Sequence, residues 1–222
     1  MASLLQRRPR RYLVDPSEPS AEPFRTLRLA LEIRQDGRSG NALVCTSPLA
    51  DEGKTLVATN YALVAAQSGQ SVLLVDGDLR RPSVHERFGI ERSPGLVELL
   101  AAGGDVRRFA RPVADVTPSL EVIPAGREIP SPGDLISSRR MAEVLRQASE
   151  AYDLVVIDSP PLLSTLDAAG LASLGGIDVL VVVDSGSRRR TLLKALRQLR
   201  LMETNVAGIV LNRDGELSPY TY

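Results

Sequence analysis

The amino-acid sequence predicts an α/β fold, with a mostly parallel central sheet and helices on both faces. Six short runs are almost wholly apolar, at 42–46, 71–75, 120–123, 153–157, 178–183 and 206–211. Stretches with helical spacing of apolar residues stand between most of them. A Gly-Lys-Thr sequence, the pair Asp76 and Asp78, and Asp158 follow three of the runs. A strand that is apolar throughout is buried on both faces, and helical crossovers make neighbouring strands parallel. Ligands of such sheets bind beyond the carboxyl ends of the strands.

The elements follow in order. Residues 1–19 are rich in Arg, Pro, Ser and acid and read as a flexible basic arm. Phe24, Leu27 and Leu31 give helical spacing over 20–34, and 35–41 form a loop. The first strand, 42–46, leads into a helix from Lys54 to about Gln67, and the second strand is 71–75. A segment rich in Gly, Pro and Arg comes next, with a short helix near 95–102. Strand 120–123 is followed by a strongly amphipathic helix at 138–152, and then by strands 153–157 and 178–183. A helix at 190–202 and a strand at 206–211 close a domain spanning 20–214. Residues 215–222 are expected to be a flexible tail carrying tyrosines.

The 222 residues suit one α/β domain with a sizeable core. A formal net charge of zero excludes nucleic-acid binding through bulk positive charge, so no nucleic-acid partner is expected. Cys45 is the single cysteine, which rules out an internal disulfide and reads as a small core residue. No apolar run approaches the roughly 20 residues of a membrane span. Arg7, Arg8, Arg10 and Arg11 are not followed by the apolar stretch of a secretory signal, and a cytoplasmic protein is expected. That cluster reads as a solvated arm, or as a contact for anionic lipid or a partner's tail. Lysine occurs only at Lys54 and Lys194. The run Arg188-Arg189-Arg190 stands where a helix begins, which the helix dipole disfavours; it reads as a solvated loop or as a contact for an acidic partner.

Three clusters carry the chemistry. The first is Thr46-Ser47-Pro48-Leu49-Ala50-Asp51-Glu52-Gly53-Lys54-Thr55. A loop between strand and helix aims backbone N–H groups at one point, and the helix N-terminus adds positive potential. Gly53 admits phosphate close to the backbone, Lys54 reaches the β- and γ-phosphates, and the Thr55 hydroxyl holds Mg²⁺. Pro48 stands where the full pattern has glycine, so the first turn of the loop must differ. The second cluster is Asp76-Gly77-Asp78-Leu79-Arg80 after a strand. Its carboxylates can hold Mg²⁺, directly or through water, or take a proton from an attacking hydroxyl. A solvated turn is the plain reading of the same residues. The third is Asp158, ending an apolar strand about a hundred residues after the loop. An acid there is costly without a partner, and it suits the Mg²⁺ side of a phosphate loop.

Together these motifs resemble the bacterial tyrosine kinases of capsule and exopolysaccharide production, from about Glu22 to the C-terminus. The resemblance implies a P-loop NTPase fold and an ATP-dependent protein-tyrosine autokinase using ATP and Mg²⁺. The loop ending Gly53-Lys54-Thr55 corresponds to Walker A. Asp76, Asp78 and Arg80 correspond to Walker A′, and Asp158 to Walker B. The implied nucleotide contacts are Asp51, Glu52, Gly53, Lys54, Thr55 and Leu56, with Asn212 at the adenine. Lys54, Asp76 and Asp78 are the implied catalytic residues. Asp76 is preferred as proton acceptor, and Asp76 and Asp78 can exchange roles. Thr55, Asp78 and Asp158 would serve the metal.

Glu22, Arg25 and Arg28 match a Glu-x-x-Arg-x-x-Arg helix used for ring assembly; an ordinary charged helix face has the same pattern. Tyr220 and Tyr222 are the expected phosphate acceptors. The resemblance also implies a separate cytoplasmic kinase, recruited to the inner face of the membrane by an adaptor that activates it, and a cognate tyrosine phosphatase. Pro48 and the short tyrosine tail depart from the family pattern. Two alternatives stand beside it. One is a regulatory ATPase of the partitioning or division-site kind, which carries a Lys where this chain has Leu49. The other is a non-catalytic ATP-binding scaffold of polysaccharide export.

Overall fold

The computed structural model describes residues 13–15, 18–35, 40–113, 119–165, 167–174 and 177–213. Most of the expected basic arm and the whole of the expected tail, with Tyr220 and Tyr222, lie outside the described residues. A 3-10 turn at Pro19–Ala21 enters α1 (Glu22–Gln35). Then come β1 (Ala42–Thr46), α2 (Lys54–Gln67) and β2 (Val72–Asp76). Short helices α3 (Val84–Phe88) and α4 (Leu96–Ala102) precede β3 (Arg111–Pro112) and β4 (Leu120–Ile123). The chain continues through α5 (Pro132–Ile136), α6 (Arg139–Ala151), β5 (Leu154–Asp158) and α7 (Asp167–Ala172). It closes with β6 (Ile177–Asp184), α8 (Arg189–Leu201) and β7 (Asn205–Asn212).

The strands form one sheet in the order β3-β4-β2-β5-β1-β6-β7. Every neighbouring pair is parallel except β3 with β4. β1, β2 and β5 are buried at every residue, as all-apolar central strands require. Their side chains alternate between two cores. Leu43, Leu74, Val156 and Val182 pack with α1 and α2 on one face. Val44, Val75, Val155 and Ile157 pack with α4 and α6 on the other. On that second face Val179, Val181 and Val183 of β6 pack with Ala195 and Leu199 of α8.

α2 is buried from Val57 to Ala66, because the sheet lies under it and α1 packs against its other side. The residues before α1 join the same core. Leu13 and Val14 pack there, and the Val14 N–H donates to the Asn60 Oδ1 of α2 at 2.9 Å. α6 starts at Ser138, whose hydroxyl accepts from the Met141 N–H, and buries Met141, Val144, Leu145 and Ala148. Asn41 holds the far end by donating to the carbonyls of Ser149 and Tyr152, at 2.9 and 2.7 Å.

The structure adds elements that periodicity did not reveal. α3, α5 and α7 are five or six residues long, too short for a helical repeat to register. β3 is a two-residue edge strand containing proline. Two strands are also displaced by one residue from their expected bounds. β2 ends with Asp76 and β5 with Asp158, so both acids lie within the sheet and face each other in register. Asp153 instead sits before its strand, where its carboxylate accepts from the Ser71 N–H and hydroxyl, each at 2.8 Å.

α4 docks end-on against the segment after β4. The Leu96 and Val97 N–H groups donate to the carbonyls of Pro124 and Ala125, at 2.8 and 3.0 Å. Gly95 makes this approach possible, since a Cβ there would collide with the Pro124 carbonyl and the Gly126 nitrogen. These are backbone atoms rather than the far end of a flexible side chain, so they cannot yield cheaply. Gly95→Ala is expected to cost about 1–3 kcal/mol, the usual range for overpacking. Urea unfolding should show a lower midpoint at unchanged slope; an unchanged midpoint would mean that the junction relaxes.

Candidate functional site

A cavity of about 950 Å³ opens beyond the carboxyl ends of the strands. Gly53, Lys54, Thr55, Asp78, Arg80 and Asn212 are among its lining residues. It is built first by the loop between β1 and α2. Asp51 and Gly53 both have positive φ, 64° and 97°, which turns successive peptide groups toward one concavity. Gly53 is required for a second reason: a Cβ there would collide with the side-chain amide of Asn212.

Pro48 does not prevent the loop from closing. The Glu52 carboxylate, 4% exposed, reaches back inside the loop and accepts from the Leu49 N–H at 2.7 Å. It also accepts from the Ser187 hydroxyl. The Glu52 carbonyl accepts from Asn212 Nδ2 at 2.9 Å. One residue therefore ties the loop to the turn after β6 and to the end of β7. The Glu52 side chain thus departs from its expected place at a nucleotide: it is behind the loop, outside the cavity lining. Asp51, Gly53, Lys54, Thr55, Leu56 and Asn212 do line the cavity.

α2 presents Lys54 and Thr55 at its first turn, and the register of β2 with β5 brings the acids to them. Lys54 Nζ lies 2.8 Å from Asp78 Oδ2 and 3.7 Å from Asp158 Oδ1. The Thr55 hydroxyl donates to Asp158 Oδ2 at 2.6 Å. Asp78 Oδ1 accepts from the Arg81 N–H at 3.0 Å, and Asp76 Oδ2 from the Val84 N–H at 3.1 Å. Asp76 and Asp158 are wholly buried beneath the cavity floor, while Asp78 lines the cavity.

Burial pushes the Asp76 carboxyl well above its ordinary pKa, and the neighbouring Asp158 adds to the rise. Burial also raises Asp158, against the pull of Lys54 and the Thr55 hydrogen bond. For Lys54 burial acts downward, but Asp158 and Asp78 more than offset it, and its pKa is raised.

Three buried carboxylates thus face one ammonium. Asp76 Oδ1 and Asp158 Oδ1 have no hydrogen-bond partner. This surplus of acceptor oxygen beside the Thr55 hydroxyl suits a divalent cation. Among the described residues, no three His, Cys, Asp or Glu converge into a ligand set of their own. The loop amides, Lys54 and the start of α2 fit the phosphate itself.

Two participants escaped sequence reasoning. Asp167, at the start of α7, pairs with Arg80 Nε at 2.9 Å and ties the segment after β2 to α7. Ser187 holds Glu52. Each acts on a residue more than eighty positions away, and neither belongs to a periodic pattern. Glu22, Arg25 and Arg28 are on α1, away from the cavity. Arg25 pairs with Glu22 at 2.7 Å and Arg28 with Glu32 at 2.6 Å, so both arginines have partners within the helix.

A family model described as an AAA domain matches residues 51–200. The putative tyrosine-protein kinase EpsB of Ralstonia solanacearum is 35% identical over 207 residues, which are 93% of this chain and 27% of that protein. The chain therefore spans about a quarter of the length of that relative. The tyrosine-protein kinase YwqD of Bacillus subtilis is 32% identical over 200 residues, 90% of this chain and 84% of YwqD. Among solved structures, the kinase domain of the Escherichia coli tyrosine kinase ETK superposes with a TM-score of 0.88 at 30% identity, covering 100% of this chain and 86% of that one.

The raised proton affinity of Asp76 has a consequence for stability. The folded chain holds the Asp76 proton more tightly than the unfolded chain does. Above the ordinary carboxylate value the folded state therefore carries the larger number of bound protons, and stability falls as pH rises until the raised folded pKa is passed. Asp76→Asn keeps an acceptor for the Val84 N–H and removes this loss. In urea unfolding without nucleotide or metal, Asp76→Asn should be more stable than wild type near neutral pH. The gap should close toward the ordinary carboxylate range. A variant less stable than wild type at neutral pH would contradict the electrostatic reading.

Proposed function

The chain belongs to the family of bacterial tyrosine-protein kinases, and on that premise we propose that it binds Mg-ATP and transfers the γ-phosphoryl group to tyrosine, in the control of capsular or exopolysaccharide production. The observation that carries this reading is the acidic cluster beneath the phosphate loop, where Asp78 and Asp158 meet Lys54 and Thr55 and Asp76 lies in register with Asp158. The regulatory-ATPase alternative draws no comparable support: Leu49 stands where those proteins carry a lysine, and its N–H is held by Glu52 within the loop.

In the proposed mechanism Lys54 and the loop amides from Asp51 to Thr55 bind the phosphates. Thr55, Asp78 and Asp158 would hold Mg²⁺, whose chemistry is to neutralise charge on the transferring group. Asn212 fixes the base end, while its own amide anchors the loop through the Glu52 carbonyl. Asp76, the preferred acceptor of the tyrosine proton, would serve only in the ionised form that a bound divalent cation favours, because burial otherwise holds its own proton on. Asp78 is the alternate acceptor, favoured by its place in the cavity wall. Arg80, Arg81, Arg87 and Arg213 also line the cavity, Arg80 paired with Asp167 and Arg213 with Asp184.

Further proposals concern delivery and assembly. Tyr220 and Tyr222 are the acceptors, and transfer is in trans, because a tail that leaves the sheet beside Asn212 starts at the base end of the nucleotide rather than the γ-phosphate end. Glu22, Arg25 and Arg28 mediate a homo-oligomeric ring by exchanging their pairings within the helix for pairings between copies. No helix among the described residues is long and apolar enough to cross a membrane. A membrane adaptor that activates the kinase, and a phosphatase that reverses the modification, complete the proposed cycle at the inner face of the membrane.

Lys54→Met should remove phosphotransfer while the chain stays folded, since a charged contact of this kind contributes on the order of 3 kcal/mol to the transition state. The decisive experiment mixes Lys54→Met with an active chain lacking residues 220–222, adds Mg-ATP, and maps phosphotyrosine by mass spectrometry. Phosphate on Tyr220 or Tyr222 of the Lys54→Met chain is the expected result. Its absence there, with phosphate on the wild-type tail, would rule out transfer in trans, and a fully active Lys54→Met chain would remove the phosphate-loop assignment.

Replacing Glu22, Arg25 and Arg28 together by Ala should shift the protein toward monomer in light scattering with Mg-ATP and adaptor present. A wild type that is monomeric under those conditions would refute the ring.

A further inference from the structure

α8 buries Ala195 and Leu199 against the sheet and packs Leu192 and Leu196 on the same cluster. Its other side faces solvent. There stand Arg189, Arg190, Lys194, Arg197 and Arg200, all exposed, on a helix whose sequence contains no acidic residue. At 100° per residue the five cations fall in one sector about 140° wide. Leu193 and Leu201 fall in the same sector, 50% and 76% exposed. The whole chain has a formal net charge of zero, so this is a local concentration of charge rather than a general excess.

α6 shows what a solvated helix of the same length looks like here: its exposed Arg146 is held by Glu143 and Glu150, at 2.7 and 2.5 Å. Among the described residues, no ion pair involves a cation of α8.

The edge strand extends this surface. Ile209 and Leu211 of β7 pair in register with Val181 and Val183, which lie in the cluster beneath α8. Paired residues of parallel strands point to the same face of the sheet. Ile209 and Leu211 therefore lie on the α8 face, and they are 49% and 53% exposed.

We propose that the outward face of α8, with Ile209 and Leu211 beside it, docks on the anionic surface of a lipid bilayer. The five cations run the length of the helix without a pocket between them, and large apolar side chains are interspersed among them. A plane of anionic headgroups meets charge spread in this way, and the leucines enter the boundary beneath the headgroups. An acidic protein groove would call for directional ion pairing and gives exposed leucines no role. No residue of α8 lines the catalytic cavity, which opens past the strand ends while α8 lies across the sheet face. Docking on α8 thus leaves the cavity open. This inference does not rest on the kinase reading.

The test is co-sedimentation of the full chain with vesicles of phosphatidylcholine, with and without phosphatidylglycerol. Wild type should bind only the vesicles containing phosphatidylglycerol, and added salt should weaken it. Each cation near such a surface contributes roughly a factor of five. The combined variant Arg190→Gln, Lys194→Gln, Arg197→Gln, Arg200→Gln should therefore bind on the order of 600-fold more weakly. Leu193→Ser with Leu201→Ser should weaken binding several-fold at constant salt, on the order expected for lost apolar burial. Thermal unfolding followed by circular dichroism identifies a misfolded variant, and Lys194→Glu with Arg197→Glu supplies a second charge test in that event. Absence of binding by wild type, or equal binding by the charge variants, overturns the proposal. Leucine variants that bind like wild type, together with displacement by soluble polyglutamate, overturn it in favour of an acidic protein partner.

Discussion

Three buried carboxylates share a single ammonium, and the rest of the site is arranged around that imbalance. Asp76 and Asp158 end adjacent strands in register, so the sheet itself forces them together. Loss of water raises the proton affinity of both, and repulsion adds to it, from Asp158 at Asp76 and from Asp78 at Asp158. Lys54 can lie among them only because α2 begins where β2 and β5 end. α2 in turn is fixed by burial along nearly its whole length between the sheet and α1. Buried carboxylates crowded in this way are unfavourable by themselves, a cost that functional sites carry.

The loop above this cluster is held from behind. Asp51 lines the cavity, whereas the Glu52 carboxylate turns the other way and accepts from the Leu49 N–H and the Ser187 hydroxyl. Glu52 connects the loop to the turn after β6 and to the end of β7, because Ser187 and Asn212 both bond to it. Arg80 and Asp167 perform a similar linkage on the opposite wall. The cavity is therefore supported by contacts between segments far apart in the chain.

Charge is distributed over this neutral chain in distinct places. Negative charge is concentrated beneath the cavity and positive charge at its rim and along α8. A neutral total can thus coexist with strong local fields. The α8 face and the cavity are oriented differently, so a contact at one does not obstruct the other.

The sequence by itself determined the parallel α/β architecture, because central strands buried on both faces leave an uninterrupted apolar signature. It also determined the phosphate loop and the acids at the strand ends, because that chemistry needs fixed residue types at short spacing. The short helices α3, α5 and α7 left no such trace, since five or six residues do not complete a repeat. Only the tertiary structure decided the register that sets Asp76 against Asp158, the inward turn of Glu52 toward Ser187, and the pairing of Arg80 with Asp167. Each depends on segments separated by more than eighty residues meeting at one edge of the sheet. The physical reason is that local spacing records which face a side chain takes, while strand order and packing decide what it meets there.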